Sequence, residues 1–529
     1  MEHLAITANP QATELFAERF NRAATVGAMR RTSTGAVLGA LALTAGLAGC
    51  DAKTELQTDG QQSREPSSAA VQFADQLRGQ VSADAMMGHL TKLQDIANAN
   101  KGNRALGTSG YDASVDYVAN ALRDKGFDVQ TPEFEVKLPF AEDPQVTVGG
   151  QTVSAKPLEF TIGTDQVGVS APLVPAKVED TPGCQAADYD GLPVAGAVVL
   201  VDRGSCPFAD KQAAAAERGA VAMIVVNTDN DEKMGGTLGR NTDVKIPVVS
   251  VTKDEGTRLR NAPGPTTLKL VAGVRIERTR NVIAQTKTGS TSDVVMVGAH
   301  LDSVPEGPGI NDNGSGVAAV LETALQLGDS PEVANAVRFG FWGAEEEGLR
   351  GSTNYVESLD TEELKDIAMY LNFDMLGSPN PGYFTYDGDQ SAPLDEQGRP
   401  RVPEGSAGIE RTLARYLEDA GKTPRDTGFD GRSDYDGFTL AGIPAGGLFS
   451  GAEDKMDAEE AKLWAGQVDQ PFDPNYHKIT DTLDHVNRDA LRIHGEGVAF
   501  AVGLYAQDQR GRNGLPVRSD RTRHQISAQ

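Results

Sequence analysis

The chain has 529 residues, 39% of them apolar and 23% charged, enough for a full core and, at roughly 150 residues per domain, for two or three domains. With 49 basic against 75 acidic residues the formal charge is −26, which argues against a nucleic-acid binder and against charge-driven attachment to anionic membranes. No apolar run approaches the ~18 residues that span a bilayer, and three cysteines cannot make a disulfide-rich scaffold.

Met29-Arg30-Arg31, a small-residue apolar run from Val37 to Leu47, and Leu47-Ala48-Gly49-Cys50 have the order of a secretory signal peptide. The end of that stretch resembles a bacterial lipoprotein signal, which implies that Cys50 becomes the acylated N-terminus; a soluble export signal with an incidental cysteine is the alternative. Residues 1–28 precede a complete signal and read as an over-called start, 29–50 as the signal itself, and 51–75 as a polar tether. The expected location is outside the cytoplasmic membrane, lipid-anchored or secreted, with the anchor as the only membrane contact.

Residues 82–125 carry apolar positions at helical spacing: Met86, Leu90, Leu93, Ile96, then Tyr117, Val118 and Leu122. Val294–Gly298, Val337–Trp342 and Met369–Phe373 read as buried strands, each followed by helix or loop. That alternation predicts an α/β fold with a mostly parallel central sheet flanked by helices. Residues 167–278 differ, with short strands at Ala197–Val201, Met223–Val226 and Pro247–Val251, many Gly and Pro turns, and an Ala-rich helix at 211–218. In an exported chain, Cys184 and Cys206 within this one region are most simply a disulfide. The stretch GAVVLVDRGSCPFADKQAAAAERGAVAMIVVN (196–227), followed by IPVVSV, resembles the protease-associated (PA) domain, an insertion common in exported peptidases. The last residues, 508–529, hold Arg510, Arg512, Arg518, Arg521 and Arg523 without a hydrophobic pattern and read as a flexible tail.

None of the seven histidines is followed by Glu, and neither a Gly-x-Ser-x-Gly elbow nor a phosphate loop occurs. What recurs is a strand with a metal-type side chain at its end. His300 and Asp302 follow the first buried strand, and Asp312 sits ten residues on in GPGINDNGSGV. Glu345, Glu346 and Glu347 follow the second strand, Asp374 the third, and His477 lies in FDPNYHKITDTLDHVN. Ligands of open α/β sheets bind beyond the carboxyl ends of the strands, so these positions converge on one crevice. Singly, each has an ordinary explanation: a polar strand end, a favourable charge at a helix start, an N-cap, a surface histidine. Together, several carboxylates in one crevice repel unless cations neutralise them, and a mixed imidazole–carboxylate set suits zinc better than manganese or cobalt.

AHLDS, GPGINDNGSGV, FWGAEEEGL, MYLNFDMLGSPN, FDGRSDYDGF, AGIPAGGLFSG and the Tyr-His pair resemble, in order and approximate spacing, the bacterial secreted di-zinc aminopeptidases, including leucine-type enzymes. The resemblance covers 280–505 strongly and 80–165 more loosely. It implies two Zn2+ per chain, one held by His300 and Asp374, the other by Glu346 and His477, with Asp312 bridging. It further implies Glu345 as general base, Asp302 as the carboxylate orienting His300, Tyr476 as donor to the oxyanion and Arg432 as a residue lining the substrate site. The substrates would be peptides with a free N-terminus, hydrophobic at that position, and the enzyme a monomer. The catalytic domain would then comprise 76–166 and 279–507, with the PA domain at 167–278 between them. Where relatives often place cysteines around the Tyr-His pair, this chain has Asn475 and Thr480, so that loop lacks the usual staple. The rival readings are a carboxypeptidase of the same di-zinc clan, a one-zinc glutaminyl cyclase, and a catalytically silent receptor-like binding protein.

Overall fold

A computed structural model describes residues 66–178, 181–229, 234–392, 402–509 and 514–526. Cys50, the signal, the proposed early start and most of the tether lie outside them. Among the described residues eighteen strands, β1–β18 in chain order, make three sheets. The largest hydrophobic cluster surrounds an eight-stranded sheet ordered β1 (Asp128–Gln130), β12 (Val282–Gln285), β14 (Asn335–Trp342), β13 (Ser290–His300), β15 (Ile367–Phe373), β18 (Ala445–Phe449), β16 (Phe384–Tyr386), β17 (Arg425–Thr427). Its middle strands β14, β13, β15 and β18 are parallel, while β1, β12 and the β16–β18 junction pair antiparallel. β15 is buried at every position and β13 from Val294 onward, the pattern of strands covered on both faces.

Helices close both faces. Ala83–Ala99, Ser109–Asp124, Gly316–Leu327 and Arg488–Gln507 bury Leu90, Val118, Val320 and Val498 against one face. Arg350–Glu357 and Tyr435–Leu440 cover the other, where Tyr370 and Phe438 stack with ring centroids 3.9 Å apart. Ser82 and Thr108 cap the first two of these helices by accepting from the amides of Ala85 and Tyr111.

The second eight-stranded sheet belongs to the insertion, and because Gln145–Pro157 pair into it the insertion starts well before the expected residue 167: β4 (Gln151–Val153), β3 (Gln145–Val148), β10 (Pro265–Lys269), β6 (Val169–Pro175), β7 (Val198–Asp202), β8 (Ala222–Val226), β9 (Val248–Val251), β5 (Lys156–Pro157). β6 to β9 run parallel, with separate apolar clusters on the two faces. Cys184 and Cys206 form a disulfide with Cα atoms 5.9 Å apart. The insertion hangs from the larger body on an antiparallel ribbon of β2 (Glu133–Ala141) and β11 (Ala272–Arg280), paired in register along its whole length.

The C-terminal segment differs from the flexible tail that composition suggests, for residues 514–526 are fastened down. Arg521 is 3% exposed and donates to Ser292 O at 2.8 Å, Lys365 O at 2.6 Å and Asp293 at 2.6 Å. Arg523 donates to Leu364 O and Ile367 O. A guanidinium carries five donors, and here they find carbonyls that edge the sheet, which hydrophobic periodicity cannot register. No helix among the described residues is long and apolar enough to cross a membrane.

Candidate metal centre

β14, β13 and β15 are parallel neighbours, so their carboxyl ends open onto one place. His300 is the last residue of β13, Glu345 and Glu346 follow β14, and Asp374 follows β15. Asp312 arrives from the loop ahead of helix Gly316–Leu327, and His477 from the loop between helices Ala458–Trp464 and Arg488–Gln507.

His300 Nε2 lies 3.2 Å from Asp312 Oδ1, 3.3 Å from Asp374 Oδ1 and 3.8 Å from Glu345 Oε2. His477 Nε2 lies 3.2 Å from Asp312 Oδ2 and 3.0 Å from Glu346 Oε2. Asp312 thus turns one oxygen to each imidazole. The Asp312 Oδ2, Glu346 Oε1 and Asp374 Oδ1 atoms are buried and accept no hydrogen bond of good geometry. Two ligand atoms on one tetrahedral ion at the usual zinc bond lengths stand about 3.3 Å apart, which matches these separations without hydrogen bonds. The donor set therefore fits divalent cations, in two overlapping groups: His300, Asp312 and Glu346, and His300, Glu345 and Asp374.

The electrostatics agree. Burial pushes the Glu345 carboxyl well up, and Glu346, Asp434 and Asp374 push it further, against the pull of His300. Burial also raises Glu346. Burial works the same way on Asp312, but the two imidazoles beside it prevail and hold it well below the usual range. Against their own burial, His300 is raised far above an ordinary imidazole by Asp374 and Glu345, and His477 to about 11 by Glu346 and Asp312. Negative charge is in excess here, which is the electrostatic condition for holding cations.

The supporting shell is specific. His300 Nδ1 donates to the main-chain oxygen of Asp302 at 3.1 Å, whereas the Asp302 carboxylate is 3.8 Å away. That carboxylate instead accepts from the amides of Glu345 at 3.1 Å and Glu346 at 3.3 Å. Asp302 therefore orients His300 through its carbonyl, and its side chain ties the end of β13 to the glutamate loop. The loop needs restraint, because Ala344 (φ 58°) and Leu349 (φ 60°) are both left-handed. Gly343 admits the turn, since a Cβ there would strike the Tyr111 hydroxyl. Ser433 donates to Asp374 Oδ2 at 2.6 Å and itself accepts from Asn372.

Tyr476 stacks on His477 with centroids 3.8 Å apart, and Arg432 donates to the Tyr476 hydroxyl at 3.3 Å and to Glu453 at 2.7 Å. The predicted residues are thus gathered in one place. The structure adds others. Asp481 accepts from the amides of Asn311 and Asp312 at 2.8 and 3.0 Å, and Asp473 accepts from the Asn311 side chain at 2.7 Å. These two aspartates bolt both ends of the Tyr-His loop to the Asp312 loop. Arg104, fully buried, donates to the carbonyls of Leu301, Pro308 and Gly309 beneath His300 and Asp312. Burial lowers it to about 10, against the pull of Asp302, Asp481, Asp312 and Glu346. The only signal for these three was a charged residue in a loop without periodicity.

Residues 281–502 match peptidase family M28, and residues 169–259 match the PA domain. "Probable lipoprotein aminopeptidase LpqL" of Mycobacterium tuberculosis is 70% identical over 459 residues, 87% of this chain and 92% of that protein. An aminopeptidase of Pseudomonas aeruginosa is 42% identical over 437 residues, 79% of this chain and 80% of its own. Among solved structures, an aminopeptidase from Aneurinibacillus sp. strain AM-1 is similar with a TM-score of 0.61 at 26% identity, covering 84% of this chain and 98% of that one. A zinc aminopeptidase from Bacillus subtilis is similar with a TM-score of 0.54 at 26% identity, covering 82% and 98%.

Proposed function

This chain belongs to peptidase family M28, with an inserted PA domain, and from that premise we propose that it is an exported zinc aminopeptidase releasing N-terminal, preferably hydrophobic residues from peptides. The observation that carries the proposal is Asp312 shared by two imidazoles, each 3.2 Å from one of its oxygens. One zinc is assigned to His300 and Asp374, a second to Glu346 and His477, with Asp312 reaching both. The zinc aminopeptidase of Bacillus subtilis supports the metal, and the aminopeptidase LpqL, described as a lipoprotein, supports both the reaction and a lipid on Cys50.

Zinc bound there supplies Lewis acidity, polarising the scissile carbonyl and making a water acidic near neutral pH. Glu345 takes the proton of the attacking water and passes it to the departing amine, a role its buried carboxylate beside His300 suits. Tyr476 donates its hydroxyl proton to the developing oxyanion, held in place by the His477 stack and by Arg432. The Glu345 and Asp374 carboxylates also meet the substrate's free ammonium. Glu453 pairs with the Arg432 guanidinium at 2.7 Å and Asp430 lies beside it, so that charge is already balanced, which favours an amine over a C-terminal carboxylate.

The test is hydrolysis of aminoacyl-p-nitroanilides with metal analysis on the same sample. Turnover of leucine p-nitroanilide but not its N-acetylated form, with about two zinc per chain, is the expected result. Release of C-terminal residues alone would establish the carboxypeptidase rival, and no metal with no turnover the receptor-like one.

A further inference from the structure

We propose that the PA domain acts on the reaction through Arg240, a positioning residue that braces the glutamate loop from outside. The inference rests on the aminopeptidase reading above. Residues 343–349 leave β14 and return through left-handed Ala344, Gly348 (φ 92°) and Leu349, two of them non-glycine residues in a costly conformation. On the inner side the Asp302 carboxylate grips the Glu345 and Glu346 amides. On the outer side the insertion and its stalk add further contacts, beside Leu106 packed at Ala344 and the Asn281 side chain, which accepts from Gly343 N at 3.0 Å.

Phe134, Val136 and Leu138, the inward positions of β2, pack on Ala344, the residue just before Glu345. Arg240 belongs to the insertion, in a turn fixed by Gly239 (φ 89°) and by the bond from Thr242 N to Gly239 O. Its guanidinium lies 5.4 Å over the Phe160 ring, so its direction is set. One arm donates to Glu347 O at 3.2 Å and the other to Lys137 O on β2. Asn241 beside it accepts from the Lys137 ammonium at 3.1 Å. One rigid fork therefore ties three segments together: the insertion, its stalk, and the peptide one residue past Glu346. Without it, the loop keeps its inner grip, its packing at Ala344, the Asn281 bond to Gly343 N and the turn bonds of Gly348 N and Leu349 N to Glu345 O, but loses its hold at Glu347, and the Glu345 and Glu346 carboxylates drift from the two imidazoles.

Arg240→Ala and Arg240→Lys in the full chain test this, with Arg218→Ala, which removes a surface pair with Asp190 on the same domain, as control. Arg240→Ala is expected to lower kcat on leucine p-nitroanilide about tenfold with KM within about twofold, and to speed zinc loss to a chromogenic chelator about tenfold. Arg240→Lys is expected not to restore either value, because one ammonium cannot span two carbonyls as the fork does. Arg218→Ala should match wild type. Wild-type kcat and zinc retention in Arg240→Ala, full recovery with lysine, or a raised KM at unchanged kcat would each overturn the proposal. Hydrogen–deuterium exchange of peptides covering 343–349 reads the brace even if the wild type proved not to be an aminopeptidase: faster exchange in Arg240→Ala supports it, unchanged exchange refutes it. Exchange of β7–β9 reports whether the insertion still folds. Val136→Ala loosens the same loop from the stalk, and its exchange decides the matter if Arg240 variants misfold.

Discussion

The sheet of the catalytic body and the sheet of the insertion are built alike, with buried, apolar, parallel middle strands, yet their carboxyl ends are treated differently. In the insertion, β7 ends on Asp202, which pairs with Arg260, and the next residue, Arg203, binds Asp229 at 2.5 Å. Charge leaving that sheet is balanced on the spot. In the catalytic body, β13, β14 and β15 release an imidazole and carboxylates toward one another, and five carboxylate oxygens of this centre, both of Asp434 among them, are buried without a hydrogen bond of good geometry. The same architecture thus serves as a structural layer where its strand ends are neutralised and as a reactive one where they are not. A fold likeness alone could not make that distinction.

The largest expected effect sharpens the contrast. Glu345→Ala should lower kcat about 1000-fold while zinc content and thermal unfolding stay near wild type, as single-turnover kinetics and metal analysis would reveal. A parallel loss of metal would mean that Glu345 is a ligand rather than a base. On the other sheet, the Cys184→Ser, Cys206→Ser pair should cost about 3 kcal/mol of insertion stability in urea unfolding, yet leave the zinc content unchanged where the insertion remains folded.

A third test compares two buried histidines within the catalytic body. His300 is pushed up by carboxylates, whereas His494, which stacks on Tyr383 and meets the main chain at Leu376 and Ala490, is pushed down to about 4 by burial. The unfolded imidazole binds a proton below about 6.5 and the folded one resists until about 4. Its contribution is therefore complete above pH 6.5 and lost as pH falls, by about 2 kcal/mol at pH 5. His494→Gln should flatten the stability difference between pH 7 and pH 5. The smallest effect belongs to the balanced strand end: Arg260→Ala should cost about 1 kcal/mol in urea unfolding and nothing in kcat.

The central strands were legible because each is a continuous apolar run bounded by glycine or charge, and the metal-type residues because they sit at the ends of such runs. The β2–β11 ribbon was not: its strands pair across the whole insertion, so no hairpin turn announces them. The role expected of the Asp302 side chain was also off by one bond. Sequence places a carboxylate two residues from a histidine, but cannot tell which of its oxygens, carbonyl or carboxylate, faces the ring. Asp481 and Arg104 stayed hidden because their partners are backbone groups, which every sequence offers everywhere, and Asp473 because the Asn311 side chain that it accepts from lies 162 residues away. Arg521 and Arg523 misled for the same reason, since a buried guanidinium that donates to carbonyls looks, in composition, like a solvated one.

The way the Tyr476–His477 loop is fastened bears on where the protein can be made and used. Asp473 and Asp481 do the work that a covalent staple would otherwise do, and carboxylates are indifferent to thiol reductants. Among the described residues, sensitivity to the redox state of the compartment is thereby confined to the insertion and its disulfide. The seat of His477 is the same in a reducing cytoplasm as in an oxidising exterior.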